Sequence, residues 1–201
     1  VIVQGSGIDS TTVIGEPHSE IDGNIPTLIF SVIMAPDVFL SDMSITSRNI
    51  TYYGIAIGGD NRFSSVEFSN LRIYNIGSSD TYDGSYEVVY LGASKHRESL
   101  WKNVTFESIE PAKVQLLKIN GGIPHNGEIS AMRGKFINCA FRNATSTYVS
   151  SSVWARPLVG IVCDGEVSFD NCEFSNLTML DDNSIAVAIG SIQYPQQQNH
   201  F

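Results

Sequence analysis

The chain has 201 residues, 42% hydrophobic and only 16% charged, with a formal net charge of -9. That is ample apolar material for one elongated domain. The acidic balance speaks against nucleic acid as partner, because neutralising phosphates needs clustered Lys and Arg; no apolar run reaches the roughly 18 residues of a spanning helix, so no membrane insertion is expected.

The opening, Val1 to Ile14, reads as a strand, a Gly5-Ser6-Gly7 turn and a second strand. As a phosphate loop it fails: no Lys follows the glycines and no helix pattern opens. The chain starts at Val1, without Met, inside a strand-like segment, and is read as a processed product or an excised piece. From here two kinds of segment alternate. Short apolar strands are predicted at Leu28–Ile33, Ile55–Ile57, Val88–Leu91, Leu116–Ile119, Val159–Val162 and Ala186–Ile189. Each of the first five is followed by a copy of one motif: Leu40–Ser47, Phe68–Asn75, Trp101–Ser108, Phe136–Asn143 and Phe169–Asn176. Loops are expected at Gly77–Ser85, Ser94–Ser99, Asn120–Gly134, Ala144–Pro157 and Thr178–Ser184. The polar end, 191–201, loses the pattern.

The leading Asp or Asn of the motif falls at 42, 70, 103, 138 and 171, so the intervals are 28, 33, 35 and 33. A fixed period of this size marks stacked repeats. Within a copy, Phe68, Leu71 and Ile73 are apolar and separated by polar residues. They share one buried face only if the chain bends at Asn70, and Asn tolerates the left-handed conformation such a bend needs. Stacked copies then give three interior columns. Leu40, Phe68, Trp101, Phe136 and Phe169 form one; Met43, Leu71, Val104, Cys139 and Cys172 the next; Ile45, Ile73, Phe106, Phe141 and Phe174 the third. Asp42, Asn70, Asn103, Asn138 and Asn171 form a polar ladder at the corner, hydrogen-bonding along the stack.

On these columns the chain resembles the right-handed parallel β-helices of the pectin-lyase-like superfamily, which carry such an asparagine ladder at a tight corner. The resemblance covers roughly 1–190 and implies an all-β, single-stranded solenoid with about three short strands per rung; 191–201 is a polar tail or a connection onward. In character the chain is most similar to a segment of a phage tail spike or surface adhesin. That implies an extracellular, virion-surface or cell-surface, non-catalytic module presenting loops to a polysaccharide or surface glycan, with a homotrimer formed by packing cylinders side by side. Tyr82, Tyr86, His96, Arg97, Tyr148, Trp154 and Arg156 sit in or directly beside the predicted loops and offer stacking faces and hydrogen-bond forks for sugar.

The same scaffold hosts glycoside hydrolases and polysaccharide lyases. Hydrolysis needs two carboxyls flanking the scissile bond. Asp181, Asp182, Asp164 and Glu166 lead the acids, with Asp60, Asp80 and Asp83 behind them. Asp181-Asp182 resembles the paired aspartates of the polygalacturonase-like branch, but that branch's Asn-Thr-Asp, His-Gly and Arg-Ile-Lys elements are absent. A lyase needs a base, usually beside calcium-binding acids, and Arg72, Arg97, Arg133, Arg142 and Arg156 pair with no acid cluster in the sequence. No cofactor is implied beyond calcium bridging an acidic surface to an anionic polysaccharide. Cys139 and Cys172 hold one column and read as packed thiols; in-register neighbours rarely present the torsion a disulfide needs. Neither they nor Cys163 make a metal-ligand spacing. Asn-x-Ser/Thr occurs at Asn49, Asn103, Asn143 and Asn176 as an acceptor pattern for glycosylation.

Overall fold

The computed structural model describes residues 1–15, 28–33, 37–47, 53–58, 65–76, 87–92, 97–112, 114–120, 132–147, 157–162, 166–180 and 186–190. Every regular element among them is a strand, and every strand pairing is parallel. The first sheet contains β1 (Ile2–Gln4), β2 (Thr12–Gly15), β4 (Asp37–Ser47), β6 (Ser65–Tyr74), β8 (Arg97–Ala112), β10 (Met132–Ile137), β11 (Ala140–Ser146), β13 (Val167–Asp170) and β14 (Glu173–Met179). The second contains β3 (Leu28–Ile33), β5 (Tyr53–Gly58), β7 (Glu87–Gly92), β9 (Gln115–Asn120), β12 (Val159–Val162) and β15 (Val187–Gly190). The chain alternates between the sheets, and each return lands beside the previous strand of that sheet. In the first sheet the order is β1-β4-β6-β8-β10-β13, with β8-β11-β14 continuing it past the corner; in the second it is β3-β5-β7-β9-β12-β15.

The registers align the motif copies. Leu40, Phe68, Trp101, Phe136 and Phe169 stand in one row, and Ile45, Ile73, Phe106, Phe141 and Phe174 in another. The rings stack along each row: Phe68 on Trp101 at 4.2 Å between centroids, Phe106 on Phe141 at 4.8 Å, Phe136 on Phe169 at 4.8 Å. The second sheet closes the core with Ile55, Val89, Leu117 and Val159 in one row and Ile57, Leu91, Ile119 and Ile161 in the next. Burying each such side chain contributes about 1.5–3 kcal/mol, so the core is a continuous column rather than a set of separate clusters.

The corner is where the motif predicts it. Asp42, Asn70, Asn103, Asn138 and Asn171 all have φ between 51° and 59°. Their side chains form a directed ladder: Asn70 Nδ2 donates to Asp42 Oδ1 at 2.8 Å, Asn103 to Asn70 at 2.9 Å, Asn138 to Asn103 at 3.3 Å and Asn171 to Asn138 at 2.8 Å. The direction has a cause. An ionised Asp offers no donor, so Asn70 must turn its NH2 towards Asp42, and each later amide follows suit. Asp42 also accepts from Gln4 Nε2 and Ser41 Oγ, and these three bonds, led by that from Asn70, hold its carboxyl below the ordinary range. Gln4 substitutes for the corner residue that the first rung lacks. There the chain detours through Gly5 to Thr11; a Cβ at Gly5 would lie 2.2 Å from the Asp42 carbonyl oxygen.

Two features differ from the reading of the sequence. A second corner follows five residues after the first: Asn75, Asn143 and Asn176 each have φ 51°. Asn176 Nδ2 donates to Asn143 Oδ1 at 3.0 Å, while the backbone N–H of Ile109 donates to Asn75 Oδ1 at 3.0 Å. At this corner Ser108 replaces Asn, and register shifts between β11 and β8 follow it. The strands also start earlier and end later than expected. Arg97–Ser99, Asn120, Met132–Gly134, Ala144–Ser146 and Thr178–Met179 belong to strands, not loops. Glu98, Arg133 and Thr178 are exposed there while Ser99 and Ser146 are buried, and polarity alone cannot separate such a strand from a loop. Corner geometry also accounts for two of the Asn-x-Ser/Thr patterns, since the amide nitrogens of Asn103 and Asn176 already donate. Asn49 lies outside the described residues.

Candidate functional site

Alternation along each strand turns every second side chain to the outer wall. Five residues before each first corner, the outward column reads Asp37, Ser65, Glu98, Arg133, Glu166; two residues on, it reads Phe39, Glu67, Leu100, Lys135, Ser168. The registers therefore place Arg133 between Glu98 and Glu166 and Lys135 between Leu100 and Ser168. These side chains wall an open concavity of about 340 Å³, with Ser99 and Gly134 also lining it. Gly134 stands in the inward row with Val66, Ser99 and Val167, where an added Cβ would meet Phe136, Ser99 and Val167 at 3.4, 3.5 and 3.7 Å. Arg133 Nη1 stands 4.0 Å from Glu98 Oε1, with both side chains mostly in water. Such a pair is worth well under 1 kcal/mol to the fold, so its groups are free to trade partners with a solute. Lys102 Nζ, one column nearer the corner, meets Glu67 Oε1 at 3.1 Å.

A second cluster lies between the two corners. Glu107 is buried, although it points from the outer wall. Arg72 donates to its Oε1 through Nε at 2.6 Å, and Nη2 stands 2.5 Å from the same oxygen as an ion pair. Arg142 Nε stands 3.5 Å from Oε2, an ion pair whose N–H is not aligned as a hydrogen bond. The Arg72 guanidinium also lies 4.6 Å from the centre of the Tyr74 ring. One carboxylate thus ties together three successive strands, β6, β8 and β11. This cluster turns its charges on one another; the concavity offers its charges outward.

Of the residues read from the sequence as site candidates, Glu166 is exposed on the rim of the concavity. Arg97 opens β8 beside Met132, and its side chain is outside the described residues. Tyr82, Tyr86, His96, Tyr148, Trp154, Arg156, Asp164, Asp181, Asp182, Asp60, Asp80 and Asp83 lie outside them as well. In sequence, His96 and Asp164 each stand two residues before a rim glutamate, Glu98 and Glu166. Glu98, Lys135 and Glu107 escape a reading that looks for acids in loops. Aligning the copies by their corner Asn would have found the Glu98, Arg133, Glu166 column at once. Among the described residues no three His, Cys, Asp or Glu side chains converge as a metal site. No family model matches the sequence, and no curated protein or solved structure gives a significant match.

Proposed function

We propose that this chain is a right-handed parallel β-helix of the pectin-lyase-like kind, a solenoid whose outer wall binds a polysaccharide or surface glycan without cleaving it. The alternation of the two parallel sheets along the chain supports the solenoid, and the strong right-handed bias of parallel crossovers supports its hand. The setting in which a long, repetitive, glycan-reading wall is most useful is a viral tail spike or a cell-surface adhesin, hence extracellular. The exposed outward pair Ile2 and Phe39, in register on neighbouring strands, supports side-by-side packing of cylinders into a homotrimer.

The observation that carries the binding reading is the concavity. Glu98, Arg133 and Glu166 repeat at the strand spacing of about 4.8 Å, alternate in sign and stand in water on a stiff wall. A polyhydroxylated chain running along the stack would meet donor and acceptor groups at each step. The test is calorimetric titration with capsular, O-antigen and pectic polysaccharides, with and without calcium. Arg133→Ala should weaken binding about tenfold, the loss of one charge-assisted hydrogen bond. Unchanged affinity in that variant would place the glycan elsewhere.

One observation favours the enzyme reading. The backbones of Glu98 and Glu166 are two strand spacings apart, about 9.6 Å, just beyond the carboxyl separation of about 6.5–9.5 Å that inverting glycosidases use, so side chains leaning together would come within it. Following new reducing ends distinguishes the two readings. Cleavage abolished by Glu166→Gln or Glu98→Gln would make the chain a glycoside hydrolase; binding without new ends leaves it a binding module.

A further inference from the structure

The cluster on Glu107 carries one positive charge more than it neutralises. Two guanidiniums meet a single carboxylate, on a chain whose formal net charge is -9. The Glu107 side chain is 5% exposed, whereas those of Arg72 and Arg142 are each 42% exposed. The carboxylate is therefore shut away from a solute while the cations that surround it are open to one.

The two arginines are held differently. Arg72 is fixed twice, by the bond from its Nε to Glu107 Oε1 and by the Tyr74 ring beneath its guanidinium. Its Nη1 donates to no described residue. Arg142 is drawn to the same carboxylate by charge alone. Its Nε lies buried and unaligned 3.5 Å from Oε2, and none of its N–H groups has a hydrogen-bond acceptor among the described residues. An unused guanidinium fork is the group that grips oxyanions in paired hydrogen bonds. The carboxylate that could compete for it is Glu173, diagonal to Arg142 on β14. Glu173 accepts from Ser175 Oγ and makes no ion pair among the described residues. In the row of Arg72, the next strands carry Thr105 and Ala140 outward, small side chains that leave room beside the two heads.

We infer that Arg72 and Arg142 form a binding site for a singly charged oxyanion: a carboxylate, sulfate ester or phosphodiester group of a ligand. One negative charge neutralises the surplus, and the unused N–H groups of both heads donate to its oxygens. Glu107 is the positioning residue. Arg72 and Arg142 stand on strands two spacings apart, about 9.6 Å at the backbone, and the carboxylate between them draws both heads to one point. The site lies past the first corner, apart from the concavity, and does not rest on the glycan reading.

The test is NMR titration of the 201-residue chain, following the side-chain Nε–Hε cross-peaks of Arg72 and Arg142. Acetate, methyl sulfate and dimethyl phosphate are the separate probes, each against chloride at constant ionic strength. Both cross-peaks should move together and saturate with one dissociation constant for at least one probe, and the probe that does so identifies the oxyanion. Arg142→Lys keeps the charge and loses the fork, so it should weaken that binding about tenfold, read at Arg72. Arg72→Lys should do the same, read at Arg142, and Arg133→Ala should leave the affinity unchanged. Unaltered backbone amides at Phe106 and Phe141 serve as the folded control. Shifts no larger than those from chloride, shifts that never saturate, full affinity in both lysine variants, or loss of binding in Arg133→Ala would overturn the inference.

Discussion

Phe141 and Phe174 belong to one column, stack at 5.0 Å and follow the same corner, yet Phe141 is 0% exposed and Phe174 39%. The difference is position in the stack. Phe141 has Phe106 on one side and Phe174 on the other; Phe174 has a described partner on one side only. Cys139 and Cys172 repeat the contrast, one buried and one half-buried. In a stacked repeat, burial is a property of having two neighbours rather than of the residue, so the middle rungs hold most of the stability and the end rungs are held by theirs.

The largest expected effect sets these two regions directly against each other. Phe141→Ala should cost about 3–5 kcal/mol in urea unfolding, as for a buried aromatic with a cavity left behind. Phe174→Ala should cost about 1–2 kcal/mol, because its ring already meets solvent on one face. Equal losses would break the comparison and show that the end rung is covered. Next is the clamp across the middle rungs. Glu107→Ala leaves Arg72 and Arg142 without the carboxylate they share, and since both arginines remain about half in water the cost should be about 2 kcal/mol. A cycle with Arg72→Ala should give strong coupling; additive losses would mean that burial, not charge, matters there.

The ladder supplies a smaller contrast. Asn103 sits mid-ladder at φ 54°. Asn103→Ala should cost about 2 kcal/mol, from lost hydrogen bonds and the left-handed backbone together, and Asn103→Gly about half of that because Gly adopts this conformation freely. At the ladder's end, Asp42 has its pKa lowered by the bonds from Asn70, Gln4 and Ser41. A depressed folded pKa stabilises above the unfolded value of 3.8 and loses that contribution as pH falls through the folded one. Asp42→Asn should therefore lower the melting temperature slightly near neutrality, where that contribution is present, and flatten its fall below that value, so that variant and parent converge in acid. The smallest perturbation is chemical. Burial pushes the Cys139 thiol up to about 11, so a maleimide at neutral pH should reach Cys172 far sooner than Cys139, read by peptide mass. Labelling of both at one rate would show that the middle rungs open as readily as the end.

Much of this was legible in the sequence because stacking imposes a rule on every copy. The spacing of Phe68, Asn70, Leu71 and Ile73 can bury its apolar members only through a left-handed corner at Asn70. Five copies of that constraint name the interior rows and the first ladder. The second corner was harder to see, because Ser47 and Ser108 interrupt its Asn column, although Ile76, Ala144 and Leu177 turn inward after it as Leu71 does after the first. The strand beginnings were missed for a related reason: Glu98 and Arg133 look like loop residues until their neighbours Ser99 and Gly134 are known to face inward.

What the sequence by itself determined, then, is the period, the corner and the inward rows, because alternation along a strand and the left-handed tolerance of Asn act within a few residues. What only the tertiary structure decided is which outward residues meet. Glu98, Arg133 and Glu166 are 35 and 33 residues apart in the chain, and only the register of β8, β10 and β13 brings them into one column. Glu107 likewise becomes a clamp only when Arg72 and Arg142 arrive from the strands on either side. Local chemistry specifies each rung, and the spacing between rungs, set by loops of unequal length, specifies the surface.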